Sequence, residues 1–384
     1  MTSKVSAVPE PGPSIASGHS IEPTTGSSEA THQKNDPMSS ANASPEPMQA
    51  TNSALEGLPA EIRRIILEEL DYPSLLTLAH TSPVFYQSYR LHQTPLLRAC
   101  LQKALGVTIA DASAAYRSSP GVFAQERNKD EITKFLATAW GGPPNELTES
   151  EVREVSRFHF TVMEPLLERF MTWSLNHFST LEATAKPPSI TERGRIMRAM
   201  YRFSTGYNLF YGYNRYDPSP MALGDFDIIS LFLFLFEPWE VEQIVSVDCW
   251  VRQELDSLEE VYSGKRQQWG YEHLLATVPQ SINGARELLL GVLTEYTQEQ
   301  RRIEQPSERD LRAEAREPLP FVGDLEPDSF ESKSSPPLGW TWVCEGVYYN
   351  GYGDRLGREM RQIAWVMWDE GRFRKQMAEY GDEI

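Results

Sequence analysis

Apolar residues recur at helical spacing in the stretch from residue 58 to residue 106. The first run, which follows the pair Leu58-Pro59, consists of Ile62, Ile65, Ile66 and Leu70. Charged residues fill the positions between them, as in an amphipathic helix whose first residue is Pro59. Typical helix starts follow at Asp71 with Pro73, at Ser82-Pro83 and at Thr94-Pro95. Gly106 is a typical helix end, so the pattern predicts four short helices that turn tightly on one another.

Beyond residue 106 the pattern again favours helices. Thr148 and Glu151 have the spacing of a capping box. The helix that they open has one apolar side, formed by Val152, Val155, Val162, Leu166, Phe170 and Trp173. A second stripe, in residues 189–210, is formed by Ile196, Met200, Phe203, Tyr207 and Phe210. Pro238 is expected to begin a third helix, with apolar residues at Val241, Ile244, Val245 and Val251. We therefore predict an all-α protein with a large irregular helical domain.

Two apolar segments are predicted to lie in its core. The run from Ile228 to Phe236 is too short for a membrane-spanning helix, which needs about 20 residues. Near the C-terminus, a predicted helix carries apolar residues on one side, at Leu356, Met360, Ile363 and Met367. Trp365 and Trp368 lie beside that row, and a helix that is apolar on more than one side is usually buried. We expect it to pack into the main helical region.

Composition divides the chain into three parts. Residues 1–53 are rich in Ser, Pro, Thr and Ala and contain no aromatic residue. Such a segment cannot bury enough apolar surface to offset its chain entropy, so a disordered tail is predicted. Residues 54–106 form the short-helix module, and residues 107–384 form the helical domain. Within that domain, residues 297–337 are charged and then rich in Pro and Ser, which is typical of an exposed connection.

The charge balance argues against two classes of partner. The 384 residues carry a formal net charge of −18, with a pI near 4.9. A chain this acidic is repelled by phosphate backbones and anionic lipid, so we expect neither nucleic acid nor membrane as a partner. The three cysteines, Cys100, Cys249 and Cys344, are far apart and lack zinc-site spacing. Together with the absence of a secretory signal pattern at the N-terminus, this favours an intracellular protein of the cytoplasm or nucleus.

We find no catalytic pattern. The seven histidines show no metal-ligand spacing, and Gly351, Gly353 and Gly357 are better interpreted as turn glycines than as a dinucleotide loop. Three arginines share one side of a predicted helix, Arg195, Arg198 and Arg202. With nearby tyrosines they could clamp single-stranded nucleic acid, but a solvated basic face paired with acidic groups of the same protein is the simpler interpretation. The sequence thus predicts no catalytic residue, metal or cofactor.

The first three helices of the short-helix module resemble a three-helix F-box, and the fourth is a helix that follows it. The residues that match the family pattern are Leu58, Pro59, Glu61, Ile62, Ile66, Leu70, Leu75 and Leu78. The resemblance implies that the module binds a Skp-type adaptor, and through it a cullin scaffold. The implied adaptor contacts are Leu58, Pro59, Ile62, Ile66, Leu70 and Leu75. The third helix departs from the family, because "SPVFYQSYR" stands where many members carry a Trp-containing basic stretch. A self-contained helical hairpin, whose Leu-Pro pair only starts a helix, is the alternative.

Further segments, such as "ERGRIMRAMYRFSTGYNLF" and "REMRQIAWVMWDEGRF", are similar to parts of F-box proteins of filamentous fungi. The resemblance implies a substrate-recruiting subunit of an SCF-type cullin-RING ubiquitin ligase, without catalysis of its own. The region after residue 107 would then bind a protein target whose identity the sequence does not reveal. The alternative is a scaffold or regulator that contains an F-box and acts in an adaptor complex outside a ligase.

Overall fold

A computed structural model describes residues 53–123, 128–140, 146–178, 184–210, 228, 230–262, 337–343 and 358–377. Regular structure in these ranges is helical and includes no strand, so the all-α prediction is confirmed for them. The predicted tail, apart from Ser53, and the predicted connection, apart from Pro337, lie outside the described residues. None of the described helices is long and apolar enough to cross a membrane.

The described residues form thirteen α-helices. They are α1 (Ala60–Glu69), α2 (Tyr72–Thr81), α3 (Pro83–Leu91), α4 (Gln93–Leu105), α5 (Ile109–Arg117), α6 (Lys129–Trp140), α7 (Glu149–Phe158), α8 (Glu164–Asn176), α9 (Ile190–Phe210), α10 (Pro238–Tyr262), α11 (Leu338–Val343), α12 (Arg358–Gln362) and α13 (Glu370–Met377). Short 3₁₀ turns lie at Gly106–Thr108, Leu233–Leu235 and Trp365–Met367, and a π-helix lies at His159–Met163.

Side-chain caps begin helices α2 and α3. The Asp71 carboxylate accepts a hydrogen bond from the Ser74 amide at 2.9 Å, and the Ser82 hydroxyl accepts one from the Phe85 amide at 3.3 Å. Gly106 ends α4 with a φ of +51°, which favours glycine. Two helices begin at residues other than the predicted ones. Pro59 is the residue before α1 rather than its first residue. Helix α4 begins at Gln93, so Thr94-Pro95 lies inside its first turn.

The capping box at Thr148 and Glu151 is present and opens α7. The predicted apolar side then changes register, because the π-helix His159–Met163 inserts an extra residue between α7 and α8. As a result Met163 and Leu167 are buried, while the predicted Val162 and Leu166 are only half-buried.

Helix α9 lies at the centre of the helical region, against α5 and α10. Its predicted stripe is buried along its whole length, as are Val241, Ile244, Val245 and Val251 of α10. Ile228, Phe232, Leu233 and Phe236 are buried too, which confirms the core position for half of the described residues of that segment, whereas Leu235 is exposed. Gly206 allows this packing, because a Cβ atom there would lie 2.7 Å from the Phe232 ring.

The C-terminal segment packs into the helical region, as predicted, but it is not one continuous helix. Helix α12 ends at Gln362, and Ala364 adopts the left-handed conformation with a φ of 48°. The 3₁₀ turn at Trp365–Met367 follows, and every residue from Ile363 to Trp368 is buried. The break rotates successive side chains in different directions, so the two predicted apolar sides are both covered. The predicted contribution of Leu356 lies outside the described residues.

Candidate functional site

Helix α1 has two apolar sides. Leu67 is fully buried among the core residues of the first module. On the other side, Ile62 is 43% exposed, Ile65 is 49% exposed and Ile66 is half-buried. Residues three and four apart share one side of a helix, so these three form a single apolar surface, called here the isoleucine face. Neither of the hydrophobic cores formed by the described residues includes any of the three.

The chain that leads into α1 is fixed by charged side chains. The Glu56 carboxylate accepts hydrogen bonds from the Ser82 hydroxyl at 2.7 Å and from the Ser53 amide at 3.1 Å. Arg63 Nη1 donates to the carbonyl oxygens of Glu56 at 3.0 Å and of Leu58 at 2.6 Å. Hydrogen bonds to charged groups are stronger than neutral ones. They hold the half-buried Leu58, and with it the exposed Pro59, at one end of the isoleucine face.

The opposite end of α1 is held by α4. Lys103 Nζ donates to the Glu68 carbonyl oxygen at 2.7 Å and contacts the Glu69 carboxylate at 3.3 Å. A cation at this position also stabilises the negative end of the helix dipole. Cys100 Sγ lies 3.7 Å from the Leu70 carbonyl oxygen, and burial raises the pKa of the Cys100 thiol. Both ends of the isoleucine face are therefore fixed without using its apolar side chains.

The six predicted adaptor contacts differ in their solvent exposure. Pro59 and Ile62 are exposed, whereas Leu58, Ile66 and Leu70 are half-buried. Leu75, predicted as an adaptor contact, is instead fully buried in the module's own core together with Leu67 and presents no surface to a partner. Leu75 lies three residues after the first residue of α2, on the side of that helix that faces the core. Sequence reasoning omitted Ile65 from the set, although its spacing of three from Ile62 places it on the same side.

The module is joined tightly to the helical region. The rings of Tyr72 in α2 and Phe160 in the π-helix stack with centroids 4.2 Å apart and planes at 6°. Arg98 Nη2 of α4 donates to the Leu147 carbonyl oxygen at 2.9 Å. Both Tyr72 and Phe160 pack against the core of the module and against that of the helical region. The isoleucine face therefore has a fixed orientation relative to the helices that follow.

The three arginines of α9 do not form a surface. Arg195, Arg198 and Arg202 are all buried, so they are not the solvated basic face that the pattern suggested. The expected pairing with acidic groups does occur, but in the interior. Arg195 Nη1 lies 2.9 Å from Asp369, and Arg202 Nε lies 2.9 Å from Asp111. Guanidinium groups in these positions cannot contact a nucleic acid, and the tyrosines at 211, 213 and 216 lie outside the described residues.

The buried histidine of the π-helix belongs to a structural network. His159 Nδ1 lies 2.9 Å from the Tyr201 hydroxyl, and Nε2 lies 3.4 Å from the Glu164 carboxylate. The His159 ring beside it lowers the pKa of Glu164, and burial raises the pKa of Tyr201 well above its usual value. In the part of the chain that the structure describes, no three His, Cys, Asp or Glu residues are arranged to hold a metal ion.

No family model, curated protein or solved structure matches this chain. Among the described residues, the isoleucine face is the feature with the clearest chemical consequence, because its apolar side chains are exposed and belong to neither core.

Proposed function

We propose that the chain is the substrate-recruiting subunit of an SCF-type cullin-RING ubiquitin ligase. In this proposal the isoleucine face, together with Leu58 and Pro59, docks on a Skp-type adaptor. The helical region from residue 107 onward binds the protein target. The protein then acts inside the cell, in the cytoplasm or nucleus, and performs no catalysis itself. The observation that carries the proposal is the isoleucine face, which is apolar, held in place at both ends and outside both cores.

The isoleucine face has the composition of a small protein interface. Ile62 and Ile65 are each about half exposed, so covering both buries roughly one whole isoleucine side chain, which contributes about 1.5–3 kcal/mol. Leu58 and Ile66 add to this, while the entropy lost on association subtracts from it. Charged residues flank the face, including Arg64 and Glu68, which pair at 3.4 Å. An apolar centre with a charged rim is typical of protein–protein contacts.

The connection between the module and the helical region supports a recruiting role. Stacking of Tyr72 on Phe160 and the hydrogen bond from Arg98 to Leu147 fix the module against the helices that follow. A target bound to those helices is thereby held at a defined position relative to the adaptor. Holding a reactant in a defined position is the main contribution that a non-catalytic subunit can make to a transfer reaction.

The test measures binding of the purified full chain to a purified Skp-type adaptor by calorimetry. The double variant Ile62→Asp/Ile66→Asp loses the apolar contact and places two carboxylates against the partner. Together these effects amount to at least about 3 kcal/mol, so we expect binding to weaken by at least about 100-fold. Helical circular dichroism and the melting temperature should change little, because neither side chain belongs to a core.

The matched control is Ile190→Asp, which introduces the same charge at an isoleucine that is 76% exposed in the helical region. It should bind the adaptor as the unaltered chain does. Adaptor binding by the double variant at unchanged affinity would refute the docking assignment. Ligase and scaffold roles are separated by adding the cullin and the remaining ligase components. A recruiting subunit then supports transfer of ubiquitin to its bound target, whereas a scaffold binds the adaptor without such transfer.

A further inference from the structure

Arg63 is the fourth residue of α1 and lies at the edge of the isoleucine face. It follows Pro59 by four positions and precedes Ile66 by three, so it lies near both on the helix surface. Its Nη1 donates to the carbonyl oxygens of Glu56 at 3.0 Å and of Leu58 at 2.6 Å. The guanidinium group is therefore fixed next to Leu58, at the end of the proposed adaptor surface.

The positive charge of Arg63 has no counter-charge among the described residues. Two other cations at α1 are paired, since Arg64 contacts Glu68 at 3.4 Å and Lys103 contacts Glu69 at 3.3 Å. Arg63 forms only its two hydrogen bonds to carbonyl oxygens. It also lies in the first turn of α1, where the helix dipole disfavours a cation. An anionic group from another molecule would therefore be favourable at this position.

The nitrogen atoms of the Arg63 guanidinium group differ in their access to solvent. Nε is fully buried and has no hydrogen-bond partner. Nη2 also has no partner among the described residues, but it is not fully buried. Because the side chain is already half removed from water, a carboxylate that meets Nη2 is attracted more strongly than by a fully hydrated cation. The planar donors of arginine also suit the geometry of a carboxylate.

We propose that the adaptor presents a carboxylate to Arg63, at the edge of its apolar surface beside Leu58. This inference rests on the proposed function and names the chemistry of the partner. Nη1 holds the chain that leads into α1, while Nη2 donates to the adaptor carboxylate. Arg63 thereby contributes to specificity, because a partner with a neutral or basic group at this edge leaves the guanidinium without a counter-charge.

The first measurement is the affinity of the purified full chain for a purified Skp-type adaptor, by calorimetry. Arg63→Gln removes the charge but keeps an amide donor for the Leu58 carbonyl oxygen, so the Kd should rise at least about tenfold. Arg63→Lys restores the charge and should bind within about threefold of the unaltered chain. The matched control is Arg374→Gln, which removes the same charge from an exposed arginine of α13 that pairs with Glu370. Its Kd should stay within about twofold.

Salt dependence separates an ion pair from a purely structural role of Arg63. Raising NaCl from about 0.05 M to about 0.5 M shortens the screening length from roughly 14 Å to roughly 4 Å. Over this range the unaltered chain should lose at least about threefold more adaptor affinity than Arg63→Gln. If Arg63 acted only by holding Leu58 in place, both proteins would lose affinity in the same proportion.

Chemical labelling of the adaptor identifies the carboxylate itself. A water-soluble carbodiimide couples accessible carboxylates to glycine ethyl ester as amides, which mass spectrometry then locates. One adaptor carboxylate should be protected in the complexes with the unaltered chain, Arg63→Lys and Arg374→Gln. The same carboxylate should be labelled in the complex with Arg63→Gln, measured at a concentration that saturates the adaptor.

Three results would each overturn the proposal. These are a Kd of Arg63→Gln within about twofold of the unaltered chain, equal salt dependence of the two proteins, and no adaptor carboxylate whose protection depends on Arg63. The double variant Ile62→Asp/Ile66→Asp is measured in parallel. Its failure to bind, together with unchanged binding by Arg63→Gln, would overturn only the carboxylate contact. Absence of binding by the unaltered chain would overturn the proposed function as well.

Discussion

Replacing Arg202 with methionine removes the positive charge from a buried cluster that joins α5, α9 and α10. Arg202 is 2% exposed, and its Nε donates to Asp111 Oδ1 at 2.9 Å. Its Nη1 lies 2.8 Å from Glu240 Oε1, as an ion pair without hydrogen-bond geometry. Trp140 Nε1 donates to the same Asp111 oxygen at 3.1 Å, and the guanidinium carbon lies 4.4 Å from the centre of the Phe236 ring.

The loss of folding stability in Arg202→Met can be estimated from the buried carboxylates that lose their partner. Methionine fills much of the same space, so little apolar packing is lost, but Asp111 and Glu240 remain buried without their main counter-charge. Removing one member of a buried ion cluster costs about 3–5 kcal/mol. At about 2–4 °C per kcal/mol for a domain of this size, Arg202→Met should lower the melting temperature by roughly 6–20 °C.

The contribution of Glu240 to the pH dependence of stability should have opposite signs in Arg202→Met and in the unaltered protein. Burial raises the pKa of Glu240, but the charges of Arg202 and Arg198 outweigh it, so the pKa lies below its usual value. The stability from ionised Glu240 is therefore present above about pH 4.3 and is lost as pH falls through the lower folded pKa. Without Arg202 burial dominates and raises that pKa, so the variant gains stability on acidification. The difference between the two proteins should shrink from about pH 7 to about pH 5.

Thermal melts followed by circular dichroism at both pH values test this reasoning. Arg64→Met is the control, because Arg64 pairs with Glu68 on the surface and should contribute less than about 0.5 kcal/mol. The triple variant Arg202→Met/Asp111→Asn/Glu240→Gln removes Arg202 together with both of its carboxylate partners and leaves the buried Arg198 in place, so it should recover part of the loss. An Arg202→Met protein that melts within about 2 °C of the unaltered chain would refute the argument.

Three further outcomes are expected. Trp368→Ala should destabilise the protein by about 3–5 kcal/mol in a single cooperative melt, because Trp368 is fully buried and its Nε1 donates to Ser174 Oγ at 3.1 Å. A separate low-temperature transition would contradict this. Hydrogen bonds from Arg117 lower the pKa of Glu151 to about 2. The ionised Glu151 carboxylate should therefore stabilise the fold fully above about pH 4.5 and lose this effect towards pH 2. The melting temperature of Glu151→Gln should fall less on acidification than that of the unaltered chain. Removal of residues 1–52 should leave the melting temperature within about 2 °C, and a larger drop would show that the tail contributes to the fold.

Local features of the fold were predictable because their causes lie within a few residues. The Ser82 cap, the box at Thr148 and Glu151, and the end of α4 at Gly106 each depend on hydrogen bonds or backbone angles inside one helical turn. The buried stripe of α9 was predictable for a similar reason, since side chains three and four apart share a side of the helix.

The surface of the candidate site was predictable only in part. Spacing places Ile62 and Ile66 on one side of α1, but it cannot state whether that side faces the core. Leu75 shows the difficulty, because the family pattern marks it as a contact, whereas the folded module buries it in its core.

The sequence by itself therefore determined where several helices begin and which side of the longer ones is apolar. Tertiary structure decided which apolar sides stay uncovered and which charges are buried. Arg202 meets Asp111 across 91 positions of sequence, and Arg195 meets Asp369 across 174. Helical spacing identifies side chains that lie side by side on one helix. It carries no information about a carboxylate that another helix supplies. For that reason the same row of arginines that suggests an exposed basic face in the sequence forms, in the folded protein, the charged interior that joins its helices.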